Sequence, residues 1–395
     1  MKCVGTVVRG IKAPIIREGD NLAEIVVDSL MDASKEAKFD FDDRDIVAMT
    51  ESIVARSEGN YATVDDVAKD IKRKFKKGHV GVIFPIFSRN RFATILKGIA
   101  RGSKKITLML NYPHDEVGNH LFSEELLEKH KLNPYSDVFD EKLYNKYFKN
   151  VKHEFTGVNY VSLYREIIEG EGCEAEIIFS NNPETILDYT KEVLCSDIHT
   201  REKTKKILRK KSKTVYGLDD ILNESIDGSG YNDKYGVLGS NRSTDDKLKL
   251  FPRGGEEVVK KVHDMLLKKT GKNVEVMVYG DGAFKDPVGK IWELADPVVS
   301  PAYTKGLEGT PNELKLKYLS DNKFSDLNGE ELKKAIIKEI KNKDKDLKGT
   351  NATLGTTPRR LTDLIGSLCD LTSGSGDKGT PIVYIKGYFD NYSKE

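Results

Sequence analysis

The chain has 395 residues, 38% of them hydrophobic and 32% charged, enough apolar material for a sizeable core under a strongly ionic surface. Lys and Arg total 64 against 63 for Asp and Glu, a formal net charge of +1, so the molecule as a whole has no attraction to nucleic acid or an anionic membrane. Its length predicts two compact units, or one unit carrying a large insertion.

The four cysteines are Cys3, Cys173, Cys195 and Cys369. They form no C-x-x-C pair, none has a histidine at zinc-finger spacing, and so few in so long a chain argue against a disulfide framework. Met1–Gly5 opens no apolar leader core, and no stretch approaches the roughly 20 apolar residues of a membrane helix. The expectation is a cytoplasmic protein.

In chain order, Val4–Val8 reads as a strand. A turn over Pro14–Asp20 leads to a helix with Asp20 as N-cap and Leu22, Ile25, Val26 and Leu30 on its buried face. Asp45–Val54 is an apolar run of strand character, and Lys72–Lys77 a basic helix end. Then come a buried strand His79–Phe87, a helix Phe92–Ile99, a strand Ile106–Leu110, a polar surface loop Asn111–His120, a strand Glu174–Phe179 and a helix Pro183–Leu194. Strands alternating with helices predict a parallel sheet here. The basic run Lys203–Lys213 reads as a solvated helix face or linker. A long glycine-containing loop, Gly228–Asn241, precedes an amphipathic helix, Gly254–Lys269, with Val258, Val262, Met265 and Leu266 on one side and Gly271 closing it. Val274–Tyr279 is a strand, Lys333–Lys345 a charged helix, Pro358 the start of a further helix, and Ile382–Ile385 a late strand. The fold class is therefore mixed α/β.

Five places could carry chemistry. Ser373–Gly379 offers glycines whose N–H groups can converge on an anion, Lys378 as a charge and Asp377 as a cation ligand, though a plain solvent loop reads equally well. Tyr279-Gly280-Asp281-Gly282 places Asp281 at the end of a buried strand, either as a metal ligand or as a tight turn. Tyr235–Arg242 combines two glycines, a hydroxyl, an amide and an arginine, a set suited to phosphate. Tyr112–Glu116 with His120 could do acid–base work, but matches no metal signature. Of the arginines Arg56, Arg89, Arg91, Arg359 and Arg360, we single out Arg56 and Arg89 as carboxylate- or phosphate-binding groups. No nucleophile elbow, H-E-x-x-H or dinucleotide fingerprint is present.

Several segments, in order, carry a resemblance. Gly10-Ile11 followed by Pro14–Leu22, then Asp45–Gly59, Tyr235–Asn241, Thr270–Val274 and Ser373–Pro381 resemble the coenzyme F-420 γ-glutamyl ligases. The likeness covers roughly residues 1–60 and 230–390. It implies a ligase unit built from 1–60 and 216–395, with 61–215 as an inserted α/β region.

The resemblance further implies a homodimer that takes a nucleoside triphosphate (GTP or ATP), Mg or Mn, glutamate and an acceptor carboxylate of F-420-0 or folate type. It places Ala13, Pro14, Ile15, Ile16, Glu51, Ser52, Arg56, Asn241, Gly374, Ser375, Gly376 and Lys378 on the nucleotide, Arg56 standing where the family has a lysine. Arg56 and Arg89 are the expected catalytic arginines. The family's first metal aspartate is replaced by Leu238, and its second falls on Gly280 or, with a one-residue shift, Asp281. The remaining metal ligands would be Asp281 and Asp377. A carboxylate oxygen leaves poorly, so such a ligase first phosphorylates the acceptor and then lets the amine displace phosphate. The competing expectation is a nucleotide- or metabolite-binding protein that keeps the fold without catalysis.

Overall fold

A computed structural model describes residues 4–285, 291–292, 295–353, 359–372 and 376–394. Its strands are β1 Val7–Ile11, β2 Ile46–Thr50, β3 Tyr61–Thr63, β4 His79–Ile83, β5 Lys105–Leu110, β6 Phe139–Asp140, β7 Glu174–Phe179, β8 Glu192–Cys195, β9 Thr214–Gly217, β10 Asn241–Thr244, β11 Lys247–Lys249, β12 Glu275–Tyr279, β13 Ala302–Tyr303 and β14 Ile382–Lys386. They form three sheets, of order β1-β14-β2-β12-β13, β10-β11-β3 and β6-β7-β5-β4-β8-β9. The fold is α/β, as expected.

The first sheet joins the two chain ends. β14 pairs antiparallel with both β1 and β2, while β2 and β12 run parallel with Thr50 opposite Tyr279. Every residue of β2 and β12 is buried, the continuous apolar pattern of strands covered on both faces. The helices Leu22–Ala37 and Gly255–Thr270 cover one face through Val26, Val27, Leu30, Val259, Val262 and Leu266. Helix Leu361–Thr372 covers the other with Ile365 and Cys369.

The six-stranded sheet uses the chain between residues 79 and 217. β7, β5, β4, β8 and β9 are parallel, with chain order reversing between β4 and β8, and β6 is an antiparallel edge. In such open sheets the crevice at the reversal lies beyond the carboxyl ends of the strands. The segment following β4 accordingly projects toward the first sheet.

Four local expectations are corrected. The run after Asp45 is a strand only to Thr50 and then becomes helix Glu51–Ser57; an unbroken apolar run does not separate buried strand from buried helix. Pro183 begins a short 3-10 turn, Pro183–Asp188, and the following apolar residues join the sheet as β8. The first long helix is entered from Asn21, because the Asp20 carboxylate accepts the Arg17 N–H at 2.7 Å. Asn111–His120 is no surface loop: Tyr112, Asp115 and Val117 are buried, and Asp115 accepts the N–H groups of Phe87, Val117 and Asn119 at 2.8–3.0 Å. Pro358 lies outside the described residues. No helix among them is long and apolar enough to cross a membrane.

The end of β8 allows a direct test of packing around a buried charge. Asp197 is 1% exposed and accepts hydrogen bonds from the Thr200 and Thr204 hydroxyls, both 2.7 Å. Burial still pushes its carboxyl up to about 6. The folded state therefore holds a proton that the unfolded chain has released, and stability falls as pH rises from about 4 through 6. For Asp197→Asn this loss is absent, so the variant should gain about 2 kcal/mol relative to the parent between pH 4 and pH 7. Urea denaturation at the two pH values measures it; a pH-independent difference would contradict it.

Candidate functional site

A cleft of about 690 Å³ opens where all three sheets meet, within the range of small-molecule sites. The parallel neighbours β2 and β12 point their carboxyl ends into it, delivering Thr50, Glu51 and Ser52 from one and Tyr279, Gly280 and Asp281 from the other. The small sheet adds Tyr61, Asn241, Arg242, Ser243 and Lys249, and helix Glu51–Ser57 carries Arg56. Asn90 and Arg91 come from the turn after β4, Asp296 from the loop before β13, and Asp370 from helix Leu361–Thr372.

Among the described residues the lining holds four carboxylates (Glu51, Asp281, Asp296, Asp370) and four cations (Arg56, Arg91, Arg242, Lys249), so their charges are matched. Glu51 and Lys249 form a buried pair, Nζ lying 2.7 and 2.9 Å from the two carboxylate oxygens. Burial pushes the Glu51 carboxyl up, while Lys249 pulls it down and Asp296 adds to the rise. Arg91 donates to Asp296 at 2.6 Å and to Asp281 at 2.9 Å. Burial alone would lower its pKa; the two aspartates more than offset this and raise it. Asp296 also accepts the Asp281 N–H at 2.8 Å, and Asp370 the Gly282 N–H at 2.9 Å. Burial raises the Asp370 carboxyl.

Gly280 is required by this arrangement. A Cβ there would collide with the Asp296 carboxylate, so glycine at 280 and an aspartate at 296 belong together. Gly236 is required for a different reason: its φ is +52° and a Cβ would meet the carbonyls of Leu218, Asp219 and Ile221. It shapes the loop that brings Asn241 to the cleft.

Of the residues singled out from sequence, Glu51, Ser52, Arg56, Asn241 and Asp281 line one cleft. Ala13–Ile16 do not line it: only Ile16 is tied to a lining residue, its carbonyl accepting Arg56 Nε at 3.0 Å, while Ala13 N–H bonds Gly379 O at 3.2 Å. Pro14 and Ile15 are exposed there, as are Gly376, Asp377 and Lys378, and none of these five is among the lining residues. Gly374 and Ser375 lie outside the described residues. Arg89 is exposed and does not line the cleft; its neighbour Arg91 does. Leu238 is buried in apolar core, so no carboxylate stands at that position.

Arg242, the arginine of the Tyr235–Arg242 set, also lines the cleft, whereas sequence reading missed Lys249, Asp296, Asp370 and Tyr61 as site residues. Lys249 alternates with Leu248 and Leu250, but Lys247 continues the same alternation, so nothing in the sequence marks which lysine is buried.

Oxygen donors suit Mg or Mn. Yet no group of three or more His, Cys, Asp or Glu side chains among the described residues is arranged to hold a metal ion. A guanidinium already bonds two of the cleft carboxylates. Among the described residues, the cleft carboxylates are therefore not arranged as a metal site.

The family model described as F420-0:gamma-glutamyl ligase matches residues 10–387, running through the middle of the chain as well as both ends. No curated protein matches the chain. The match covers nearly the whole chain and the cleft gathers charged groups from its distant parts, so the protein belongs to the F420-0:gamma-glutamyl ligase family and is a ligase that adds glutamate.

Proposed function

We propose that the cleft binds a nucleoside triphosphate, GTP or ATP, and uses it to join the amine of L-glutamate to an acceptor carboxylate of F-420-0 or folate type. The observation that carries this reading is the convergence of Glu51, Ser52, Arg56, Asn241 and Asp281, up to 230 residues apart in the chain, around one charged cleft. An acceptor carboxylate oxygen attacks the γ-phosphorus and the nucleoside diphosphate leaves. The amine then attacks the acyl carbon, gives up a proton, and phosphate departs with one former carboxylate oxygen.

Arg56 and Arg242 are the cations suited to the phosphates. Lys249 is committed to Glu51 and Arg91 to two aspartates, whereas Arg56 spends Nε on a carbonyl and Arg242 pairs with exposed Asp245. Glycine-rich backbone over 376–379, beside Ala13, would flank the nucleotide. A homodimer belongs to the same reading. The route is tested with acceptor labelled with oxygen-18 in its carboxylate: each turnover should move one labelled oxygen into inorganic phosphate. Turnover without label transfer would exclude the acyl phosphate.

A further inference from the structure

Arg91 reaches the cleft from outside the five-stranded layer. It sits in the turn between β4 and helix Phe92–Arg101. Ser88 Oγ accepts its backbone N–H at 3.0 Å, and the Arg242 N–H bonds the Asn90 carbonyl at 2.9 Å, so the turn is pinned from both sides. The side chain is 20% exposed, against 19% for Asp281 and 2% for Asp296. One guanidinium spans the two carboxylates, with Nη1 on Asp296 and Nη2 on Asp281, a geometry its planar fork permits and an ammonium does not. Two carboxylates so poorly hydrated need a cation between them. Lys249 cannot serve, because both oxygens of Glu51 already hold it.

We propose that Arg91 is a built-in cation that takes the place of a metal ion at the Asp281–Asp296 pair, so that this pair binds no divalent cation while the guanidinium is present. The proposal deepens the ligase reading and rests on it only for the phosphates that would meet an already neutralised wall. Arg91 acts here as a positioning residue: it holds Asp281 and Asp296 in place, and with them the end of β12.

The test is a titration of the purified full chain with manganese alone, free Mn²⁺ being followed by electron paramagnetic resonance. Wild type and Asp281→Asn should show the same Mn²⁺ affinity. Arg91→Gln should bind about 10-fold tighter or more, the scale on which groups around a metal tune affinity, and Arg91→Gln/Asp281→Asn should lose that gain. Mn²⁺ should raise the melting temperature of Arg91→Gln and leave that of wild type in place. Arg91→Lys, whose ammonium cannot bridge both carboxylates, should fall between. A wild-type Mn²⁺ site weakened by Asp281→Asn overturns the proposal, as does Arg91→Gln binding no tighter than wild type. If Arg91→Gln does not fold, Arg91→Lys decides: tighter binding than wild type supports the proposal and equal binding overturns it. Neither nucleotide nor glutamate is present, so a failure here leaves the ligase reading to its own test.

Discussion

Glu51→Ala is expected to destabilise the protein by about 3–5 kcal/mol, the cost of leaving one member of a buried ion pair without its partner. Both side chains are 8% exposed, so water cannot solvate the abandoned Lys249 ammonium. The pair also joins two sheets: Glu51 follows β2 and opens helix Glu51–Ser57, while Lys249 ends β11. Breaking it should loosen the small sheet that carries Asn241. The double variant Glu51→Gln/Lys249→Met removes both charges and should recover most of the loss, since a buried pair contributes little net stability compared with apolar packing. Urea denaturation of the three proteins measures this. A single variant within about 1 kcal/mol of wild type, the scale of an exposed pair, would contradict the burial of this pair.

Arg56→Ala is expected to lower kcat/KM for the nucleotide by about 10²–10³-fold, the range for removing one preorganised donor to developing negative charge. The helix Glu51–Ser57 places Arg56 on the cleft wall, and its Nε bond to Ile16 O fixes the plane of the guanidinium. The terminal nitrogens are thereby aimed without further ordering, the condition under which electrostatic stabilisation costs no reorganisation. Arg56→Lys keeps the charge and loses both the fork and the Ile16 contact, so it should recover only part of the rate. Steady-state kinetics with the nucleotide varied measures both. Unchanged kcat/KM in Arg56→Ala, with the fold intact, would remove Arg56 from the site.

The terminus of β12 was legible in the sequence because the short apolar run Val274–Tyr279 is followed within two residues by a carboxylate, Asp281. Ligands favour that place in α/β sheets. The turn after β4 was legible as arginine-rich. Which arginine faces inward was not: Arg89 and Arg91 share a turn, and only contact with Asp296, 205 residues away, separates them. Asp296 itself had no local mark, since an aspartate before a proline reads as an ordinary turn. Its role depends on the bare Gly280 backbone, a complementarity between positions 16 apart that composition does not carry. The boundary between β2 and the Arg56 helix was hidden for a related reason. Ile46–Ala55 is apolar enough to serve as either element; Thr50 N–H still bonds Pro381 O at 3.0 Å across the sheet, and the helix begins at Glu51.

We propose that one cleft, assembled from both chain ends and the turn after β4, makes an amide bond to glutamate at the expense of a nucleoside triphosphate. The most direct measurement incubates the purified full chain with GTP or ATP, Mg or Mn, L-glutamate and a panel of carboxylate acceptors, and reads acceptor mass. The account predicts a gain of one or more glutamyl residues on an acceptor, with one nucleoside diphosphate released per residue added, and loss of both in Arg56→Ala. Glutamyl transfer that proceeds at full rate without any triphosphate, or that survives intact in Arg56→Ala, would contradict it.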